Sequence, residues 1–123
     1  LSVTKTSQVI SDPFGGVAPN AKAVPGAIIE YTVTIDNTGG AAPAENIVVT
    51  DNIQIPDALF EDEAYGAGQD VAIDAAFCNA DGGDGDGDGC SYDVGTGQLS
   101  IEVPNIADGA STTITYQVQV NAL

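Results

Sequence analysis

The chain has 123 residues, the length of one domain with a hydrophobic core of its own. It carries 18 acidic residues and only two basic ones, and its formal net charge is −16. Phosphate groups are neutralised by clustered Lys and Arg, so this composition excludes nucleic acid as a partner and disfavours an anionic membrane surface. No segment approaches the roughly 20 consecutive apolar residues of a membrane span.

The apolar residues are mainly Val, Ile and Ala, and Thr and Gly are abundant, which is typical of a sheet protein with many turns. Residues 1–10 form a strand-like opening segment. The first clear strand spans residues 27–36, where alternate positions are apolar. We expect one face of this strand to be buried, and that face carries Ile29, Tyr31, Val33 and Ile35.

Three later segments also predict strands. Residues 47–50 are a short apolar run, Leu99, Ile101 and Val103 alternate with polar neighbours, and so do Ile114, Tyr116, Val118 and Val120. Turn signals separate the segments at residues 25–27, 37–40, 95–97 and 107–109. Residues 57–69 predict at most one helical turn, near Leu59 and Phe60. The sequence therefore predicts one domain, residues 1–123, folded as an Ig-like antiparallel β-sandwich of seven or eight strands.

Four stretches carry a family likeness: "VTKT" at residues 3–6, "VPGAIIEYTVTIDNTG" at 24–39, "AENIVVTDNI" at 44–53 and "GASTTITYQVQV" at 109–120. Together they resemble the Ig-like repeat domain of bacterial and archaeal surface proteins. The resemblance implies an Ig-like sandwich that serves as a spacer, a stalk or an assembly module. The family usually occurs in tandem, whereas this chain holds one copy, so a structural role would require assembly with copies of itself.

The segment "CNADGGDGDGDGC", residues 78–90, departs from that family. No His or third Cys is present to complete a thiolate metal site, so Cys78 and Cys90 predict a disulfide. A structural disulfide indicates an oxidising compartment, which predicts an extracellular or cell-surface protein.

Within this loop, Asp84, Asp86, Asp88 and Gly89 reproduce the opening D-x-D-x-D-G of a calcium loop. Position twelve of that motif is Gly95 rather than Glu, so the loop is not an EF-hand. Completing oxygen ligands would come from backbone carbonyls, from a neighbouring subunit, or from two further carboxylates. The predicted calcium ligands are Asp81, Asp84, Asp86, Asp88 and Asp93. The alternative is a solvated loop without a bound cation.

A second acidic group follows the third strand, and its spacing favours a solvated rim over another cation site. Its members are Asp57, Glu61, Asp62, Glu63 and Asp70.

The sequence predicts no enzyme, because it holds no histidine, no free cysteine once the disulfide forms, and no nucleophile elbow. An internal isopeptide bond would need Lys5, Glu30 and Asn121 to meet. The strand alternation disfavours this bond, since it turns Glu30 and Asn121 toward solvent.

Strand-like segments lie at residues 1–10 and 112–123, and neither carries a charged tail that would block a sheet edge. The favoured hypothesis is a structural subunit of an extracellular filament or surface assembly. Its subunits would polymerise head to tail by β-strand addition, and calcium would stabilise the polymer. The alternative is a monomeric calcium-stabilised adhesion or carbohydrate-binding module, in which residues 1–10 pair only within their own domain.

Overall fold

The computed structural model describes residues 1–53, 57–80 and 87–121, and within these ranges it contains strands and turns but no helix. Accordingly, no described segment forms a helix suited to crossing a membrane. The strands in chain order are β1 (Ser2–Ser11), β2 (Ile28–Asp36), β3 (Ile47–Asn52), β4 (Ala58–Phe60), β5 (Val71–Ile73), β6 (Ala76–Cys78), β7 (Cys90–Asp93), β8 (Gln98–Val103) and β9 (Ser111–Val120).

These strands form two antiparallel sheets. The larger has six strands in the order β1-β2-β9-β5-β6, with β4 also paired to β9, and the smaller has three in the order β3-β8-β7. This arrangement confirms the predicted all-β, sandwich-like fold. The described residues hold nine strands rather than seven or eight, because three strands of three residues each, β4, β5 and β6, precede the acidic loop.

One hydrophobic core fills the space between the sheets. Along β9, Ile114, Tyr116 and Val118 are fully buried, and along β8 so are Leu99 and Ile101. These are the residues that the alternation of apolar and polar positions predicts to face inward. In β2 the same alternation holds, and the inward side chains lie opposite those of β9 in the antiparallel ladder.

The segment near Leu59 and Phe60 is a strand, so the predicted helical turn is wrong. β4 pairs with the end of β9, with Phe60 opposite Val118, and the backbone N–H of Glu61 continues the ladder by donating to the carbonyl of Gln117 at 2.9 Å. The phenyl ring of Phe60 stacks on the ring of Tyr92 with centroids 4.9 Å apart. Pairing and core packing therefore override the weak local helical preference.

β1 lies at the edge of the larger sheet and pairs with β2 of the same chain along its whole length. Its residues 2–8 are all exposed, and none of its side chains belongs to the buried core. Val3 shares a face with the buried Ile35, yet it remains 61% exposed, so the described strands of the smaller sheet do not cover it. The strand is thus attached mainly through its backbone hydrogen bonds to β2.

Candidate functional site

The disulfide between Cys78 and Cys90 is present, with Cα atoms 6.1 Å apart, which confirms the predicted pairing. Cys78 ends β6 of the larger sheet and Cys90 begins β7 of the smaller sheet. Both cysteines are buried. The bond therefore joins the two sheets through the core, in addition to closing the acidic loop.

The neck of the acidic loop is held by a carboxylate. Asp88 accepts hydrogen bonds from the backbone N–H of Asn79 at 2.6 Å and of Cys90 at 3.1 Å, so it ties the two sides of the loop together. The carbonyl of Gly89 accepts a bond at 2.8 Å from the backbone N–H of Glu102 on β8. This short segment thus anchors the loop to the smaller sheet.

The predicted calcium ligands are only partly placed. Asp81, Asp84 and Asp86 lie outside the described residues. Asp88 stands at the neck, but Asp93 ends β7, about 10 Å along the strand from Cys90 at roughly 3.3 Å per residue. Among residues 1–53, 57–80 and 87–121, no three acidic, Cys or His side chains come together as a metal site.

Asp93 has a local role in the hairpin between β7 and β8. Its carboxylate accepts hydrogen bonds from the backbone N–H of Gly95 at 2.8 Å and of Thr96 at 3.3 Å. Aspartates commonly stabilise turns in this way. A calcium ion in the acidic loop would therefore depend on the loop's own oxygens rather than on Asp93.

Asp70 is 2% exposed, so the prediction that it belongs to a solvated rim is wrong. Its two carboxylate oxygens accept hydrogen bonds from the backbone N–H of Glu63 at 2.6 Å and of Ala80 at 2.8 Å. The side chain therefore fixes the turn before β5 and the first residues of the acidic loop. Its sequence neighbours are equally acidic, and no spacing signal distinguishes it from them.

The three residues of the hypothetical isopeptide bond are not brought together. Glu30 accepts hydrogen bonds from the hydroxyl of Tyr65 at 2.9 Å and from the side-chain amide of Gln117 at 3.0 Å. Partial burial raises the pKa of Tyr65 to about 12. Lys5 lies opposite Val33 in the ladder, on the inner face of β1, whereas Glu30 lies on the other face of the sheet.

Lys5 instead bridges the two sheets. Its Nζ donates to Oδ2 of Asp51 on β3 at 2.8 Å and lies 4.5 Å from the ring centroid of Tyr31. The same carboxylate oxygen accepts a hydrogen bond from the hydroxyl of the buried Tyr116. Burial, and to a smaller extent this bond to Asp51, raises the pKa of Tyr116 well above its usual range. The sequence gives no sign of this cluster, since its members are far apart along the chain.

An open cavity of about 760 Å³ lies beside β7, an edge strand of the smaller sheet. Its lining includes the stacked rings of Phe60 and Tyr92 together with Asp62, Asp93 and Gln98. An apolar surface with a few polar groups is a common composition for a small-molecule site.

Comparison with protein-family models finds no match, and searches among curated proteins and among solved structures find no similar protein. Function is therefore inferred from the residues and geometry of this chain.

Proposed function

We propose that this protein is a structural subunit of an extracellular filament or surface assembly, in which β1 of each subunit pairs with β2 of the next and calcium stabilises the polymer. The observation that carries the proposal is the way in which β1 is attached to its own domain. It is a ten-residue edge strand with an extensive backbone ladder and no side chain in the core.

Such a strand can move between identical subunits at low cost. Every hydrogen bond that β1 makes with β2 in one chain is available, with the same geometry, on β2 of a second chain. The cores of the two subunits stay intact, because no side chain of β1 is part of either. Exchange that continues from subunit to subunit is heterologous and generates an open filament.

The connection between β1 and β2 is long enough for this exchange. It comprises residues 12–27, sixteen residues between Ser11 and Ile28. A chain of this length spans at most about 55 Å when extended. In the closed form the same segment folds back, and the Asp12 carboxylate accepts bonds from the backbone N–H groups of Phe14, Gly16 and Lys22.

The distribution of charge also supports association through β1. Residues 1–11 contain Lys5 and no acidic residue, so their formal side-chain charge is +1, and the remaining residues carry −16 − 1 = −17. β1, the strand that is proposed to leave its own domain, is therefore attracted to the acidic residues 12–123 of a neighbouring subunit, which we call the body.

Calcium has a physical role in this proposal, because acidic subunits repel one another unless the charge is neutralised or screened. The loop closed by Cys78 and Cys90 supplies closely spaced carboxylates, and Ca²⁺ prefers six to eight oxygen ligands. Asp88 is fixed at the neck, and we propose that it and the preceding aspartates of the loop hold the ion, alone or with oxygens of a neighbouring subunit.

The experiment that tests the proposal compares the full chain with a variant lacking residues 1–11. Both are analysed by size-exclusion chromatography and negative-stain microscopy, with calcium and with chelator. We expect filaments only from the full chain, and more of them with calcium. A synthetic peptide of residues 1–11 should bind the shortened protein, because it restores the ladder on β2. Filaments from the shortened protein would refute strand exchange.

A second candidate is a monomeric calcium-stabilised adhesion or carbohydrate-binding module. The cavity lined by Phe60, Tyr92, Asp62 and Gln98 favours it, because aromatic rings beside carboxylate and amide groups suit a polyhydroxylated ligand. This candidate predicts a protein of one domain's size with and without calcium. It also predicts oligosaccharide binding that Asp62→Asn and Gln98→Ala weaken, measured by isothermal calorimetry.

A further inference from the structure

We propose that the contact between Lys5 and Asp51 forms between subunits and sets the register of the exchanged strand, so that the partner surface is β3 of a second copy of this chain. This inference rests on the proposed function, and it names the residues by which one subunit recognises the next. Lys5 belongs to the strand that moves, whereas Asp51 belongs to the body that stays.

Both charged groups of this contact are held by neighbouring tyrosines. It is the single ion pair that joins described residues of the chain, with Nζ 2.8 Å from Oδ2. The ring of Tyr31 supports the ammonium group, and the hydroxyl of Tyr116 holds the carboxylate in place. Asp51, Tyr31 and Tyr116 lie on three different strands of the body, so an arriving strand meets a preformed acceptor for one positive charge.

The backbone ladder by itself does not fix the register, because the hydrogen-bonding groups of a strand repeat along its length. A slip of one residue turns Lys5 to the opposite face of the sheet. A slip of two residues moves it by about 6.6 Å and brings Val3 or Ser7 to its place. Neither side chain can supply a positive charge to Asp51, so only the observed register pairs the two groups.

Isotope-coded cross-linking tests whether the contact joins two subunits. Uniformly ¹⁵N-labelled and unlabelled protein are mixed in denaturant, assembled together, and treated with a water-soluble carbodiimide that couples a touching amine and carboxylate. Lys5 is 44% exposed in its side chain, so the reagent can reach the pair. Mass spectrometry then identifies the peptides joined through Lys5 and Asp51.

We expect cross-linked pairs in which one peptide is labelled and the other is not. If filaments form but every Lys5–Asp51 pair is wholly labelled or wholly unlabelled, the contact lies within subunits and the inference is wrong, although assembly itself stands. Filaments without this cross-link would also overturn it. Failure of the unmodified protein to assemble would refute the proposed function and this inference with it.

Charge reversal gives an independent readout. Lys5→Asp and Asp51→Lys subunits each place like charges at the contact, and we expect each to raise the critical concentration about tenfold or more. Equimolar mixing should restore assembly, because each donor strand then meets an acceptor of opposite charge. A contact within subunits predicts no rescue on mixing, and rescue only in the double variant. Circular dichroism of the separate variants verifies that they are folded, and Lys5→Gln serves as a milder variant that leaves Asp51 bound to Tyr116.

Discussion

Asp70 allows the sharpest test of how the acidic loop is supported. The change Asp70→Asn keeps the shape of the side chain but replaces one acceptor oxygen by an amide that donates. In the unmodified protein, one oxygen of Asp70 accepts the backbone N–H of Glu63 and the other accepts that of Ala80. In either orientation, the NH₂ group of the asparagine therefore faces another donor.

The expected loss of stability follows from these two contacts. A hydrogen bond to a charged acceptor contributes about 1.5 to 3 kcal/mol, and an unsatisfied buried donor costs about 1 to 3 kcal/mol. Asp70 is 2% exposed, so water cannot replace the lost bond. We expect Asp70→Asn to lower the free energy of unfolding by about 2 to 4 kcal/mol. A domain of 123 residues has about 6 to 18 kcal/mol in total.

Urea unfolding followed by circular dichroism measures this loss, with Asp74→Asn as the matched control. Asp74 accepts one backbone bond, from Thr113 at 2.9 Å, in an exposed turn. The asparagine oxygen can keep that bond, so the control should lose less than about 1 kcal/mol. Both variants remove one negative charge, so the change in net charge does not contribute to the difference in stability between them. If the two variants unfold at the same urea concentration, the buried carboxylate does not have the structural role argued for it.

Three further predictions concern the acidic loop and Tyr65. Gly89→Ala should destabilise the chain by at least about 1 kcal/mol more than Gly87→Ala in urea, because both have positive φ but only the first brings a Cβ within 2.9 Å of a β8 side chain. Replacing Cys78 and Cys90 by Ser should cost about 2.9 kcal/mol for a loop of 13 residues, and an unchanged thermal midpoint would contradict this. The folded pKa of Tyr65, about 12, exceeds its unfolded value, so its stabilisation is complete below pH 10 and declines as the pH rises toward 12. Tyr65→Phe should reduce this loss of unfolding free energy between about pH 10 and 12. If both proteins lose stability equally with pH, the raised pKa of Tyr65 does not contribute.

Alternation of apolar and polar residues was sufficient to predict three of the strands. β2, β8 and β9 each carry three or more apolar residues at every second position, and a pattern of that length has one interpretation. β4, β5 and β6 have three residues each, too few to show a period, so they emerge only from their pairing with longer strands. The helical turn predicted near Phe60 fails for this reason.

Some contacts of the candidate functional residues could also be predicted from the sequence, and others could not. The pairing of Cys78 with Cys90 was predictable, because the chain holds no other cysteine. That the bond joins two sheets was not, since it depends on β6 and β7 entering different sheets. The pairing of Lys5 with Asp51 was likewise hidden, because 46 residues separate the two and neither strand has a charge pattern that points to the other.

A strongly acidic protein can associate with itself when its charge is unevenly placed. In 0.1 M salt the Debye length is about 10 Å, so repulsion between exposed charges of adjacent subunits that lie farther apart than this is largely screened. The ammonium of Lys5 and the carboxylate of Asp51 are 2.8 Å apart, well inside that length, and their attraction persists. Divalent ions bound by the loop carboxylates would reduce the remaining repulsion further. In the proposed assembly, the acid-free strand, the acidic remainder of the chain and the predicted calcium loop would each favour association through β1.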